Sequence, residues 1–186
     1  MQKQKNKEIE SKVKDWLENV VIGFNLCPFA RKPYLKNSIR IMIDETTVVD
    51  DIYLSLLKEI NTLDKQNVNE LETTLLVVPN VLASFEDYND FLFSVNELIK
   101  SLDREGVYQV ASFHPEYQFA GTDINDAENF TNRSPYPIFH LIREDSLSEA
   151  LESYPNPEAI PERNIKKMKS LSSSQLKHYF SWCFKG

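Results

Sequence analysis

The period of the apolar residues switches several times along this chain, and the order of those switches constrains its fold more than any other feature. Ile9, Val13, Trp16, Leu17, Val20, Val21 and Phe24 recur every three or four positions, which predicts an amphipathic first helix that stops before Pro28. Ser38 to Ile43 alternates and is rich in isoleucine, as a strand requires. Ile52, Leu56, Ile60 and Leu63 return to the helical period, and Thr73 to Val78, closed by Pro79, reads as a strand buried on both faces. A capping pattern at Ser84 and Asp87 opens the clearest helical stripe, Phe85 to Leu102, with Gly106 placed to end it. Val107 to His114 and Pro137 to Arg143 are two more strands. Two short helices follow, one from about Pro161 and one carrying Leu176, Tyr179, Phe180 and Cys183. This order predicts an α+β or α/β fold: a single layer of about four mixed strands covered by helices, with a long ordered loop between the last two. We expect one domain over 1–186, with 8–172 as its core and 173–186 as a C-terminal helix.

Composition narrows the function. A chain of 186 residues can bury a real core without disulfides or metal. Only four residues are glycine, and their positions allow neither a G-x-x-x-x-G-K phosphate loop nor a G-x-G-x-x-G dinucleotide turn. A net charge of -7 argues against nucleic-acid binding, which relies on clustered Lys and Arg. No apolar run is long enough to span a membrane, and the polar start is unlike a signal peptide, so the expectation is a cytoplasmic protein with Cys27 and Cys183 as free thiols. In that compartment the acceptor-like tripeptides at Asn129 and Asn132 would meet no glycosylating enzyme, so those asparagines need another explanation.

The segment 115–136 is longer than ordinary connections, and its aromatics Tyr117, Phe119, Phe130 and Tyr136 argue for order over disorder. Its polar residues must satisfy one another or a ligand. His114 closes the strand before it; Asn132, Arg133, Ser134 and Tyr136 lead into the next strand, which carries His140 and Arg143. If the two strands pair, these groups form a candidate cluster. His114 and His140 would act as general acid or base. Arg133 and Arg143 would hold an anion, with Asn132, Asn129, Tyr117, Ser134 and Tyr136 as further binding residues. The competing reading is internal structure: arginines paired with Asp126, Glu128 or Glu144, Ser134 and Asn132 in turns, and tyrosines in aromatic packing.

Cys27, in the run Asn25-Leu26-Cys27-Pro28-Phe29-Ala30, is the second candidate. The end of a helix disfavours a thiolate, but Pro28 turns the chain outward, so Cys27 is either a buried apolar thiol or a nucleophile served by a nearby histidine. Cys27, His114, His140 and Asp126 also supply ligand types that zinc prefers, although no standard ligand spacing occurs. Residues 122–128 lack the glycine and glutamate of a calcium loop and read as turns.

The blocks Asn-Leu-Cys-Pro-Phe-Ala at 25–30, Phe-His-Pro-Glu-Tyr-Gln-Phe-Ala-Gly at 113–121, Asp-Ala-Glu-Asn-Phe-Thr-Asn-Arg-Ser-Pro-Tyr-Pro at 126–137, His-Leu-Ile-Arg-Glu at 140–144 and Ile-Pro-Glu-Arg-Asn-Ile at 160–165 together resemble a bacterial and plastid-lineage family, the domain of unknown function 1415. The resemblance covers about residues 10–172 and implies a stand-alone cytosolic protein with no assigned activity, in which 113–144 and Cys27 form one unit. The leading expectation is an enzyme of hydrolase or transferase type acting on a small anionic metabolite through His114, His140 and Cys27, with no cofactor. The alternatives are a metal-dependent protein, with zinc or another divalent ion on Cys27, His114, His140 and Asp126, and a protein-interaction module built on the loop.

Overall fold

The structure, a computed structural model, describes residues 2–184. Helix α1 (Gln2–Trp16) runs on without a break into a wider π-helical segment, Leu17–Ile22. Short helix α2 (Arg31–Leu35) leads to strand β1 (Ile39–Ile43), and helix α3 (Asp51–Lys65) connects it to β2 (Thr73–Val77). Helix α4 (Phe85–Ser101) precedes β3 (Tyr108–Phe113), and the long loop then leads to β4 (Ile138–Arg143). Helices α5 (Glu144–Glu152), α6 (Ile160–Lys169) and α7 (Ser173–Tyr179) complete the chain with a last 3-10 turn, Ser181–Phe184.

The four strands form one mixed sheet in the order β1-β2-β4-β3, which is the α+β layer that the periodicity predicts. β1 and β2 are parallel, and β4 lies antiparallel between β2 and β3. The crossovers through α3 and α4 step the same way across the sheet, so equal handedness puts both helices on one face. That face is a continuous core of Ile52, Leu56, Ile60 and Leu63 from α3, Tyr88, Phe91, Val95 and Ile99 from α4, and Leu76, Phe139 and Leu141 from the sheet. Each such fully buried aliphatic side chain contributes about 1.5–3 kcal/mol. The opposite face is covered by α1 and its π segment, the 115–136 loop, α6 and the C-terminal turn, through Val13, Trp16, Val20, Leu26, Phe130, Met168 and Phe180.

Local details depart from the periodic reading. α2 and α5 bury little or nothing: Pro33 alone in α2 and no residue in α5, so neither carries a stripe that spacing could reveal. The left-handed residue that follows α4 is Asp103, with φ 53°, while Gly106 at φ 76° turns the chain toward β3. Ser84 caps α4 as expected, its hydroxyl accepting the Asp87 N–H.

Candidate functional site

The π segment decides where Cys27 stands. The Val21 carbonyl receives the N–H of Leu26 at 2.9 Å and that of Cys27 at 3.5 Å, bonds wider than an α-turn makes. A Cβ on Gly23 would lie 2.3 Å from the Asn19 carbonyl oxygen, so only glycine fits this widened turn. Asn25 takes a left-handed conformation, φ 54°, and Pro28 follows before helix resumes with α2 at Arg31. Leu26 and Cys27 thereby face α6 and the long loop, and the Asn164 side chain of α6 donates to the Leu26 carbonyl at 2.6 Å.

Between these elements lies a cavity of about 540 Å³, within the range of small-molecule sites. Val21, Leu26, Phe113, Phe119, Ile160, Pro161 and Ile165 give it apolar walls, and Cys27, Glu128, Thr131, Asn132 and Asn164 supply polar atoms. Asn164 is 9% exposed, and its Oδ1 has no hydrogen-bond partner. A buried amide oxygen left unbonded costs about 1–3 kcal/mol, and among the described residues the same holds for polar atoms of Asn6, Asp44, Thr74, Arg143 and Trp182. Because Asn164 Nδ2 is fixed on a carbonyl, Oδ1 must be the atom left over. Burial raises the Cys27 thiol pKa, and the N–H groups of Phe29 and Ala30 at the sulfur only partly oppose it, so this group is a neutral thiol at pH 7.

Of the residues singled out in the sequence, the structure brings Cys27 and Asn132 into this cavity and places the rest elsewhere. His114 and His140 point to opposite faces of the sheet, because β4 residue His140 pairs with Ala111 and side chains alternate along β3. His114 is fully buried among Phe85 and Tyr88; its Nε2 donates to the Leu82 carbonyl at 3.0 Å and its Nδ1 accepts the Glu116 N–H at 3.0 Å. Those bonds fix a neutral tautomer, and burial lowers its pKa. His140, near Phe113 on the other face, bonds Thr73 Oγ1 at 2.7 Å, and burial lowers its pKa to about 4. Neither ring is adjacent to the Cys27 sulfur in any bond the structure makes.

The two arginines are also committed. Arg133, 6% exposed, stacks on Phe130 at 4.3 Å and donates to the carbonyls of Tyr117 at 3.3 Å and Ile124 at 2.6 Å, which clamps the loop from within. Arg143 sits at the far end of β4, where it donates to the carbonyls of Leu63, Gln66 and Leu71 and caps the end of α3. The anticipated pairing of these arginines with Asp126, Glu128 or Glu144 does not occur, since none of the four ion pairs among the described residues involves them.

The remaining candidates build the loop. Asn129 is fully buried: its Oδ1 accepts the Phe119 N–H and the Thr122 hydroxyl, both at 2.9 Å, and its Nδ2 donates to the Asp123 carbonyl. Asn132 Nδ2 donates to the Ser112 carbonyl, Ser134 Oγ to that of Tyr136, and Asp126 Oδ2 accepts the Asp123 N–H. This is the explanation the two glycosylation-like asparagines required. Tyr117 packs against Phe85 and meets Ser112 Oγ, while Tyr136 lies under Lys12 on the other face. Among the described residues no three His, Cys, Asp or Glu side chains stand close enough to share a metal ion, so the set Cys27, His114, His140 and Asp126 is not assembled. The opposed histidines are the physical reason.

Sequence reasoning missed Glu128, Phe119 and Asn164 as members of one site. Asn164 lay inside the Ile-Pro-Glu-Arg-Asn-Ile block, and its place in an otherwise apolar helical face was the available signal.

Fold and cavity together define a small mixed-sheet domain with a pocket on its irregular face. The chain belongs to the family described as protein of unknown function DUF1415, whose match spans residues 8–178 and so ends inside α7. No curated protein and no solved structure matches it. No helix among the described residues is long and apolar enough to cross a membrane.

Proposed function

We propose that this protein binds a small molecule in the cavity between the π-turn, the long loop and α6. The observation that carries the reading is the apolar cavity of about 540 Å³, with Asn164, a buried amide whose Oδ1 has no partner within the chain, among its lining residues. Chains rarely leave such an atom unbonded unless a ligand or water completes it. The loop's internal bonding supports the same reading, since Asn129 and Arg133 hold Glu128, Thr131 and Asn132 against α6 before any ligand arrives. Catalysis by a Cys27–histidine pair has less support, because both rings are engaged elsewhere and the thiol is neutral. An interaction module built on the loop also has less, because Phe130 is buried and Tyr117, Phe119 and Tyr136 are partly so.

A thermal-shift screen of small apolar fragments tests this. Fragments should raise the melting temperature of the native chain and leave an Ile165→Trp variant, whose cavity is filled, unmoved. Equal responses from both, or none from the native chain, would refute the binding site.

A further inference from the structure

Several donors around the cavity are already engaged. Asn164 Oδ1 is unpartnered while the amide's N–H group is held on the Leu26 carbonyl. Asn132 likewise commits its Nδ2 to the Ser112 carbonyl, and the Thr131 hydroxyl donates to the Glu128 carbonyl at 2.7 Å. Glu128 lines the cavity as its sole charged residue and enters none of the four ion pairs among the described residues. Glu128 belongs to the 3-10 turn Ala127–Thr131, and α6, which carries Asn164, packs directly on that turn. Two phenyl rings, Phe113 and Phe119, complete the wall.

The nearby cations are turned away. Arg133 is fixed on the Tyr117 and Ile124 carbonyls, and Arg163, next to Asn164 on α6, donates to the Tyr154 hydroxyl and the Asn25 carbonyl. Lys167 lies over the Phe24 ring. The lining residues therefore include one carboxylate and two phenyl rings, with no basic side chain among them.

Resting on the cavity reading above, we infer that the ligand is a small organic cation: a primary ammonium group on an apolar body. A primary ammonium has three donors and no acceptor, which suits the Glu128 carboxylate. The carboxylate offsets the cost of taking the cation out of water, the phenyl rings attract it by their faces, and the aliphatic wall takes the body of the ligand. A carboxylate or phosphate ligand would instead bring like charge toward Glu128. This reverses the ligand charge that the arginines imply when they are read from the sequence alone.

The test uses the whole chain and three probes of one shape: benzylammonium, benzyl alcohol and benzoate, titrated at neutral pH while backbone amide NMR shifts are followed at Cys27, Phe119, Asn132 and Asn164. Benzylammonium should bind roughly tenfold more tightly than benzyl alcohol, the difference expected of a charge-assisted bond. Glu128→Gln, on a half-buried loop residue, should remove that preference by bringing the ammonium's affinity down to that of the alcohol. If benzyl alcohol or benzoate binds as tightly as the ammonium and moves the same amides, the cation inference is overturned and the cavity reading survives. A preference that persists in Glu128→Gln overturns the inference as well. If none of the three probes moves the cavity amides, the cavity reading fails and the cation inference fails with it.

Discussion

The two faces of the sheet solve the same burial problem with different materials. On one, α3 and α4 lay regular apolar stripes on Leu76, Phe139 and Leu141, and among its buried polar groups His114 has both ring nitrogens bonded while Thr74 Oγ1 has no partner. On the other, α1 is joined by a π-turn, a loop and short helices to cover Leu75, Val77 and Ile138, and the packing leaves a cavity and an unbonded amide oxygen. Regular helices close a surface completely because their side chains repeat at the spacing of the groove they fill. Irregular backbone has to be held by specific bonds, and those bonds can be arranged around a space. On the proposed function, the division puts stability chiefly on the first face and ligand recognition on the second.

The largest expected effect probes that division from the closed side. Leu56→Ala removes a fully buried side chain of α3 and should cost about 3 kcal/mol by urea denaturation. The folded fraction should still give the native response to cavity fragments, and loss of that response would mean the two faces are not separable. A smaller stability effect with the opposite functional result is expected at Gly23. Gly23→Ala forces a Cβ toward the Asn19 carbonyl, which must move. It should cost about 2 kcal/mol. Because the same turn carries Leu26 and Cys27, fragment binding should be lost even where the protein remains folded. A Gly23→Ala chain that binds normally would show that the π-turn does not set the cavity.

The closed face was largely legible in the sequence. Ile52 to Leu63 and Phe85 to Leu102 announce their helices because each buries one stripe, and Thr73 to Val77 carries no charge and no alternation because it is buried on both sides. The cavity face was legible only in part. Cys27 and Asn132 were singled out from their loops, but the two histidines were read as one cluster although the register of β3 and β4 sends them to opposite faces. Sequence shows that strands alternate; it does not show which residue of one strand stands beside which of the next. Arg133 and Arg143 misled for a related reason. Loop carbonyls and the open end of α3 are acceptors that appear only once the chain has folded, and both arginines were recruited to them. Asn164 escaped notice because an asparagine on a helix is unremarkable until its oxygen is found without a donor.

The smallest predicted effect distinguishes the histidines of the two faces by pH. His140 has a folded pKa of about 4 against an ordinary 6.5, and burial is the cause. Above pH 6.5 both folded and unfolded chains carry it neutral, so its full contribution is present. As pH falls from 6.5 toward 4 the unfolded chain takes up the proton first and stability is lost; below about 4 both states are protonated and the loss stops. Since the ring is not wholly closed to solvent, we expect about 1–2 kcal/mol of this loss between pH 7 and pH 5. His114, lowered by burial too, acts in the same direction, so the native chain falls by the sum of the two. His140→Gln can keep a bond to Thr73 but cannot titrate, and it should flatten the fall in urea midpoint without abolishing it. An unchanged slope would place the pH sensitivity on the closed face with His114. A slope of zero in the native chain would mean that neither ring is held neutral by burial, and would remove the physical basis for treating both histidines as structural.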